Sequence, residues 1–173
     1  MFTIETKRLI IKEFTLDMAY DVHINSLDID NRRFVPDEVF ETIDEAKDTI
    51  EFLIQQYDKK DGPFVYPIFI KETNTNIGYI QMIKLDSTFE IGYHIAKKYT
   101  GNGYAKEAVK AFLPIITKKL GIHEVLGICL KENIASMAVL KSTGFIKIYE
   151  GLGLYQGEER EIFKSIWKRD KAI

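Results

Sequence analysis

Between residues 64 and 96 the apolar residues recur with a period of two, and no other feature restricts the fold as much. FVYPIFIKE, NIGYIQMIKL and TFEIGYHIA read as three strands. The turns between them, ETNTN and LDS, are short enough for antiparallel hairpins. Strands joined in this way lie side by side in one sheet. Pro67 falls inside the first strand. It has no N–H for a ladder, so an edge or a bulge is expected there.

The rest of the chain alternates between helical and strand patterns. RLIIKEF (Arg8 to Phe14) reads as a strand. TLDMAYDVHINSL follows as a helix with Thr15 as its N-cap, and the polar stretch NRRFVPDE breaks the pattern. In TIDEAKDTIEFLIQQYDKK, Thr42 and Glu45 form a capping box, and Ala46, Ile50, Leu53 and Tyr57 make one apolar stripe. After the hairpins a helix is expected from about Tyr104 to Leu120. Pro114 lies inside it, where it removes one hydrogen bond and should kink the helix, at roughly 3 kcal/mol. EVLGICL is a strand. NIASMAVLKSTGF is a short helix with Asn133 as N-cap and Gly144 just past its end. The remainder, FIKIYEGLGLYQGEEREIFKSIW, reads as two strands around a turn at Gln156-Gly157.

The order β-α-α-β-β-β-α-β-α-β-β predicts an α/β (α+β) protein. Its sheet would be central, mixed, mostly antiparallel and twisted, with about seven strands and helices on both faces. A length of 173 residues suits a single domain over 1–173. The net charge of −2 argues against nucleic-acid binding, which calls for a basic face. FVYPIFI, the most apolar run, is too short to span a bilayer. No leader is visible, and the one cysteine, Cys129, can form no internal disulfide. A cytoplasmic protein with no membrane contact is the expectation.

The stretch KKYTGNGYAKEAVKAF sets Gly101 and Gly103 at a helix entrance. Such a pair is either a strand-to-helix turn or a cradle for an anion. A P-loop needs Gly-Lys-Ser/Thr, but Tyr104 follows Gly103. A dinucleotide fingerprint needs Gly or Ala where Lys106 stands. A pyrophosphate cradle remains beside the plain turn: bare backbone N–H groups, followed by the unpaired donors and positive end of a helix.

The run K-Y-T-G-N-G-Y-A resembles motif A of the GNAT N-acetyltransferases. N-I-A-S-M-A-V-L-K-S-T-G-F resembles a second signature of that family, and the element order matches its fold along nearly the whole chain. E-T-K-R-L-I-I-K and F-E-I-G-Y-H-I resemble the RimJ/RimL-type branch. The resemblance implies acetyl-CoA as cosubstrate and acetyl transfer to a primary amine by direct attack in a ternary complex. A protein N-terminal amine leads as acceptor. A small amine (an aminoglycoside, polyamine or amino-acid derivative) comes second, and a non-catalytic acyl-CoA-binding module is the rival from another class. No metal is expected, and a homodimer stays open.

The resemblance further implies that Gly101, Asn102, Gly103, Tyr104 and Ala105 wrap the pyrophosphate. Lys98 adds charge where relatives carry Arg or Gln. The strand F-E-I-G-Y-H-I-A would splay from EVLGICL and open a slot for the pantetheine arm. A freed N–H near Ile95 would then serve the thioester oxygen, and Gly92 would suit a bulge. Glu90 is the first choice of base, against a solvated carboxylate at a strand start. His94, on the same face, acts directly or through water, or else is simply packed. The tyrosine acid of many relatives is replaced by Leu140. Ser136 matches the serine that the branch places near the thiol, against a plain near-cap serine. Asn133 can cap the helix and also touch the pantetheine arm. The branch's hairpin glutamate is absent near Gly153. Cys129 reads as core rather than nucleophile, and His23 and His123 as structural. Asp37, Glu38, Glu41, Glu158 and Glu159 make the acceptor cleft acidic, which suits a cationic acceptor.

Overall fold

The computed structural model describes residues 1–169, so 170–173 of the expected 1–173 domain lie outside the described residues. Its strands are β1 (Thr3–Glu5), β2 (Leu9–Lys12), β3 (Phe64–Ile70), β4 (Thr75–Leu85), β5 (Thr88–Ile95), β6 (Glu124–Leu130), β7 (Ile146–Tyr155) and β8 (Glu158–Lys168). They form one sheet in the order β1-β2-β3-β4-β5-β6-β8-β7. Every neighbouring pair is antiparallel except β5–β6. The sheet has eight strands, not the seven expected. The addition is β1, whose three residues bury only Ile4 and are too few to display a period.

Five α-helices flank it: α1 (Ala19–Ser26), α2 (Ile29–Phe34), α3 (Ile43–Gln56), α4 (Tyr104–Leu120) and α5 (Ile134–Ser142). Two expectations fail in the first third. Thr15 caps no α-helix: its side chain makes no cap bond, and a 3-10 turn, Leu16–Met18, precedes α1. The stretch NRRFVPDE is not a simple break. Asp28 accepts from the N–H groups of Asp30 and Asn31 and starts α2, and a turn at Pro36–Glu38 follows. Of α2 only Asn31 is buried, so no apolar stripe marks it. The capping box of α3 forms as read, with Glu45 N–H donating to Thr42 Oγ1 at 3.2 Å.

The two cores follow from strand alternation. Val65 and Phe69 face α1 and α3, packing with Phe14, Met18, Ile50 and Leu53. Phe64, Tyr66, Ile68, Ile80, Met82 and Ile91 face the other way, toward Ala108, Val109, Phe112 and Leu140 of α4 and α5. Pro67 is tolerated because β2 pairs only as far as Ile68, where the register with β4 also shifts. α4 runs unbroken through Pro114. The carbonyl that loses its donor belongs to Lys110, which is exposed to water. Among the described residues no helix is long and apolar enough to cross a membrane.

Candidate active site

The one parallel contact of the sheet is short. β5 and β6 pair only through Glu90↔Leu126 and Ile91↔Gly127, and then diverge. Gly92 to Ile95 keep their partners on β4 but have none on the β6 side. The N–H of Ala96 donates to Ile77 O on the β4 side at 2.9 Å. By alternation the N–H of Ile95 points into the gap. The expected splay is therefore present. The expected bulge at Gly92 is not, because the β4–β5 register runs without a shift. Gly92 is needed for another reason: a Cβ there would lie 2.7 Å from Nε2 of Gln81.

A cavity of about 530 Å³ occupies the gap on the α4 and α5 side. Its lining includes His94, Ile95, Gly101, Gly103, Tyr104, Ala105, Asn133 and Ser136. Gly101 and Gly103 have φ of +79° and +77°, which L side chains adopt only at a cost. A Cβ at Gly101 would meet nothing within 4 Å, so the backbone there is open to a ligand. Gly103 is the N-cap of α4. The first-turn N–H groups of Tyr104, Ala105 and Lys106 have no acceptor among the described residues. These features fit a diphosphate, which needs several donors and a positive dipole end.

Sequence reasoning missed what holds this loop. Arg8 donates through its guanidinium to Asn102 O at 2.8 Å and to Glu107 at 2.6 Å, and stacks over the Tyr104 ring at 4.6 Å. Thr6 Oγ1 also donates to Glu107, at 2.6 Å. Burial would raise the Glu107 pKa, but the bonds from Thr6 and Arg8 outweigh it and hold the carboxyl below its ordinary value. The opening E-T-K-R thus has a physical role: it clamps the glycine loop. The Asn102 side chain turns back to the Tyr99 and Thr100 carbonyls. Lys98 is not among the cavity's lining residues; its ammonium sits over the Tyr99 ring, 4.9 Å from the centroid. Lys106 does line the cavity.

On the opposite face of β5, toward α1 to α3, lie Glu90, Gly92 and His94, directly across from Ile83, Gln81 and Tyr79. Burial pushes the Glu90 carboxyl up to about 7, with Lys164 pulling the other way. Glu38, from the turn after α2, is pushed up to about 7 by burial too, against the hydrogen bond from Gln81 Nε2 at 3.2 Å. Gly92 leaves the space that lets the Gln81 amide reach Glu38. Burial pushes the His94 imidazole below its ordinary value, and Asp28 and Asp30 oppose the shift. Its Nε2 lies 3.9 Å from Asp28 and makes no hydrogen bond.

A second cavity, of about 410 Å³, is lined from both faces, by Glu38, Glu90 and His94 and by Tyr93, Cys129, Ser136 and Tyr155. The Tyr93 hydroxyl donates to Ser136 O at 3.0 Å and lies 3.1 Å from Ser136 Oγ. Sequence reasoning missed this tyrosine. Leu140, in the slot that relatives give to a tyrosine, is core at 1% exposure. Asn133 caps α5, accepting from Ser136 N at 3.1 Å. Burial raises the Cys129 thiol to about 11, so it stays protonated. His23 Nδ1–H donates to Phe40 O at 2.8 Å, and His123 lies beside Arg169. Among the described residues no group of three or more His, Cys, Asp or Glu side chains is arranged for a metal.

Comparison with known proteins agrees with this geometry. The model of the acetyltransferase (GNAT) domain matches residues 8–146. The uncharacterized N-acetyltransferase YnaD of Bacillus subtilis (strain 168) is 32% identical over 143 residues, covering 82% of this chain and 81% of YnaD. A GNAT-family acetyltransferase structure from Bacillus anthracis superposes with a TM-score of 0.82 at 23% identity, covering 96% of this chain and 98% of that one. RimL, a ribosomal α-N-protein acetyltransferase solved with coenzyme A, gives 0.83 at 16% identity, covering 96% and 98%. This chain belongs to the GNAT acetyltransferase family, whose members take their acetyl group from acetyl-CoA.

Proposed function

We propose that the chain acetylates a primary amine, foremost the N-terminal amine of a protein, by direct attack in a ternary complex. The observation that carries the reading is the gap between β5 and β6. It joins the glycine-loop cavity on one face of the sheet to two partly buried carboxylates on the other, and His94 borders both sides. A donor thioester and an acceptor amine entering from opposite faces meet there. A protein acceptor is supported by the likeness to RimL, a ribosomal α-N-protein acetyltransferase.

In this reading Gly101 to Ala105 and the start of α4 bind the pyrophosphate, with Arg8 fixing the loop. Lys98 lends the loop positive charge, and Asn133 presents its remaining amide donor to the pantetheine arm. Glu90, with a pKa near the working pH, takes the proton of the acceptor ammonium, directly or through a water held by His94. The neutral nitrogen attacks the thioester carbon, and the N–H of Ile95 stabilises the oxygen as it becomes negative. The second proton of the attacking nitrogen passes to solvent in the gap as the amide forms. The carbon–sulfur bond breaks with its electron pair staying on sulfur, and the Ser136 hydroxyl donates a proton to that sulfur. The Tyr93 hydroxyl, 3.1 Å away, then reprotonates Ser136 and is restored from solvent.

Thiol release from acetyl-CoA, followed with peptides and with small amines, tests the acceptor. Peptides with free N-termini should turn over and their N-acetylated copies should not. Turnover of small amines with no peptide active would overturn the protein reading.

A further inference from the structure

Three buried side-chain polar atoms lack a partner among the described residues: Asn31 Oδ1, Asn76 Nδ2 and His94 Nε2. All three residues line one cavity. It lies between α1, α3 and the sheet, holds about 300 Å³, and is walled mainly by Phe14, Val22, Phe40, Leu53, Val65 and Tyr79. That volume accepts an aromatic ring or a branched chain. Asp37 and Glu38 border it, and no Lys or Arg does.

The orphaned atoms do not come from misassigned amides. Asn76 Oδ1 is already engaged by Asn25 Nδ2 at 2.8 Å and by Gly78 N at 3.1 Å, which leaves its Nδ2 as a free donor. Asn31 Nδ2 donates to Ser26 O and to Glu38 O, which leaves its Oδ1 as a free acceptor. The wall of an apolar chamber thus contains one unused donor and one unused acceptor. Both are covered in this structure, so that a ligand's polar group reaches them only as the Asn31 and Asn76 side chains shift. Unpaired polar groups in such a place are costly, and a polar group on a ligand relieves that cost. Glu38, Gln81 and His94 also line the cavity that reaches the β5–β6 gap, so the chamber opens onto the proposed reaction centre.

We propose that this chamber receives the body of the acceptor. The acceptor is a primary amine on a compact apolar group that itself bears a hydroxyl or an amide. The body fills the chamber, its polar group pairs with Asn31 and Asn76, and its ammonium sits at Glu38, facing the gap. The inference rests on the acetyl-transfer reading above. The same chemistry is offered by a free amine such as tyramine and by an N-terminal tyrosine, and the test includes both.

Thiol release is measured with tyramine, tyrosinamide and a peptide beginning with tyrosine, against glycinamide and the same peptide beginning with glycine. The tyrosyl member of at least one matched pair should exceed its glycyl partner in kcat/KM by about tenfold or more. Val22→Phe fills the chamber and should erase that preference without changing KM for acetyl-CoA. If Val22→Phe shows no cooperative melting, the matched pairs alone decide. Equal kcat/KM within every pair, with acetyl-CoA consumed, overturns the chamber and leaves acetyl transfer intact. No thiol release with any amine, while acetyl-CoA still raises the melting temperature, overturns the acetyl-transfer reading and the chamber with it.

Discussion

The guanidinium of Arg8 donates to the main-chain carbonyl of Asn102 at 2.8 Å, across 94 positions of sequence. The first structured segment of the chain therefore sets the shape of the glycine loop. Arg8→Ala should raise KM for acetyl-CoA by about tenfold, equivalent to about 1.4 kcal/mol, and leave kcat within about twofold. Arg8→Lys should recover only part, because an ammonium cannot serve Asn102, Glu107 and the Tyr104 ring together. Steady-state kinetics at saturating amine check this, and an unchanged KM in Arg8→Ala would remove the clamp.

Gly103 carries two demands that substitution separates. Its φ of +77° makes any L side chain cost roughly 1–2 kcal/mol. Its open surroundings, with only Arg8 3.6 Å from an added Cβ, leave space that a ligand can use. Gly103→Ala and Gly103→Val should lose similar stability in urea titrations. Gly103→Val should show the larger rise in KM for acetyl-CoA, because its methyls enter the cradle. Equal KM values in the two variants would assign the glycine to backbone strain alone.

What the sequence revealed and what it hid divide by range. The hairpins of β3 to β5, the bounds of α4 and the Gln156-Gly157 turn are local, and each left a periodicity or a turn signal. β1 and α2 are too short to show a stripe. The glycine loop was visible because φ > 0 selects its residue type. Its partner Arg8 was not, since nothing local ties position 8 to position 102. The pairing of Glu38, itself read as part of an acidic cleft, and the place of Tyr93 were hidden for the same reason: each meets its partner, Gln81 or Ser136, 43 positions away. One local hint existed for Glu38, which sits just before Val39 and Phe40, a setting in which a carboxylate becomes partly buried. The bulge expected at Gly92 was a sound use of strand glycine, but the cause is a side chain on the next strand.

The contact between Tyr93 and Ser136 predicts a graded loss. Under the proposed mechanism Ser136→Ala removes the hydroxyl that gives its proton to the departing sulfur, while Tyr93→Phe removes only the group behind it. Each should lower kcat, Ser136→Ala by roughly 100-fold and Tyr93→Phe by less, with KM for acetyl-CoA little changed. The double variant should be no slower than Ser136→Ala, because the two act in series. Additive losses in the double variant would show that the hydroxyls act separately.

Glu90 and Glu38 both have pKa values pushed up to about 7 by burial, yet the proposal gives them different work. If Glu90 is the base, kcat/KM rises with pH and levels off above about 7. Glu90→Gln should lose roughly 100-fold on that plateau and lose the inflection with it. Glu38→Gln should keep the inflection and raise KM for the amine. Stability provides a second reading with a definite sign. A carboxyl whose folded pKa is raised favours the protonated, folded protein. Its contribution is intact below the ordinary value of 4.5 and is lost as pH rises toward 7. Glu90→Gln cannot ionise, so relative to the parent it should be more stable in urea at pH 8 than at pH 4. The same difference at both pH values would mean that Glu90 does not ionise in a buried setting. A rate inflection that survived in Glu90→Gln would then pass the role of base to His94 or Glu38.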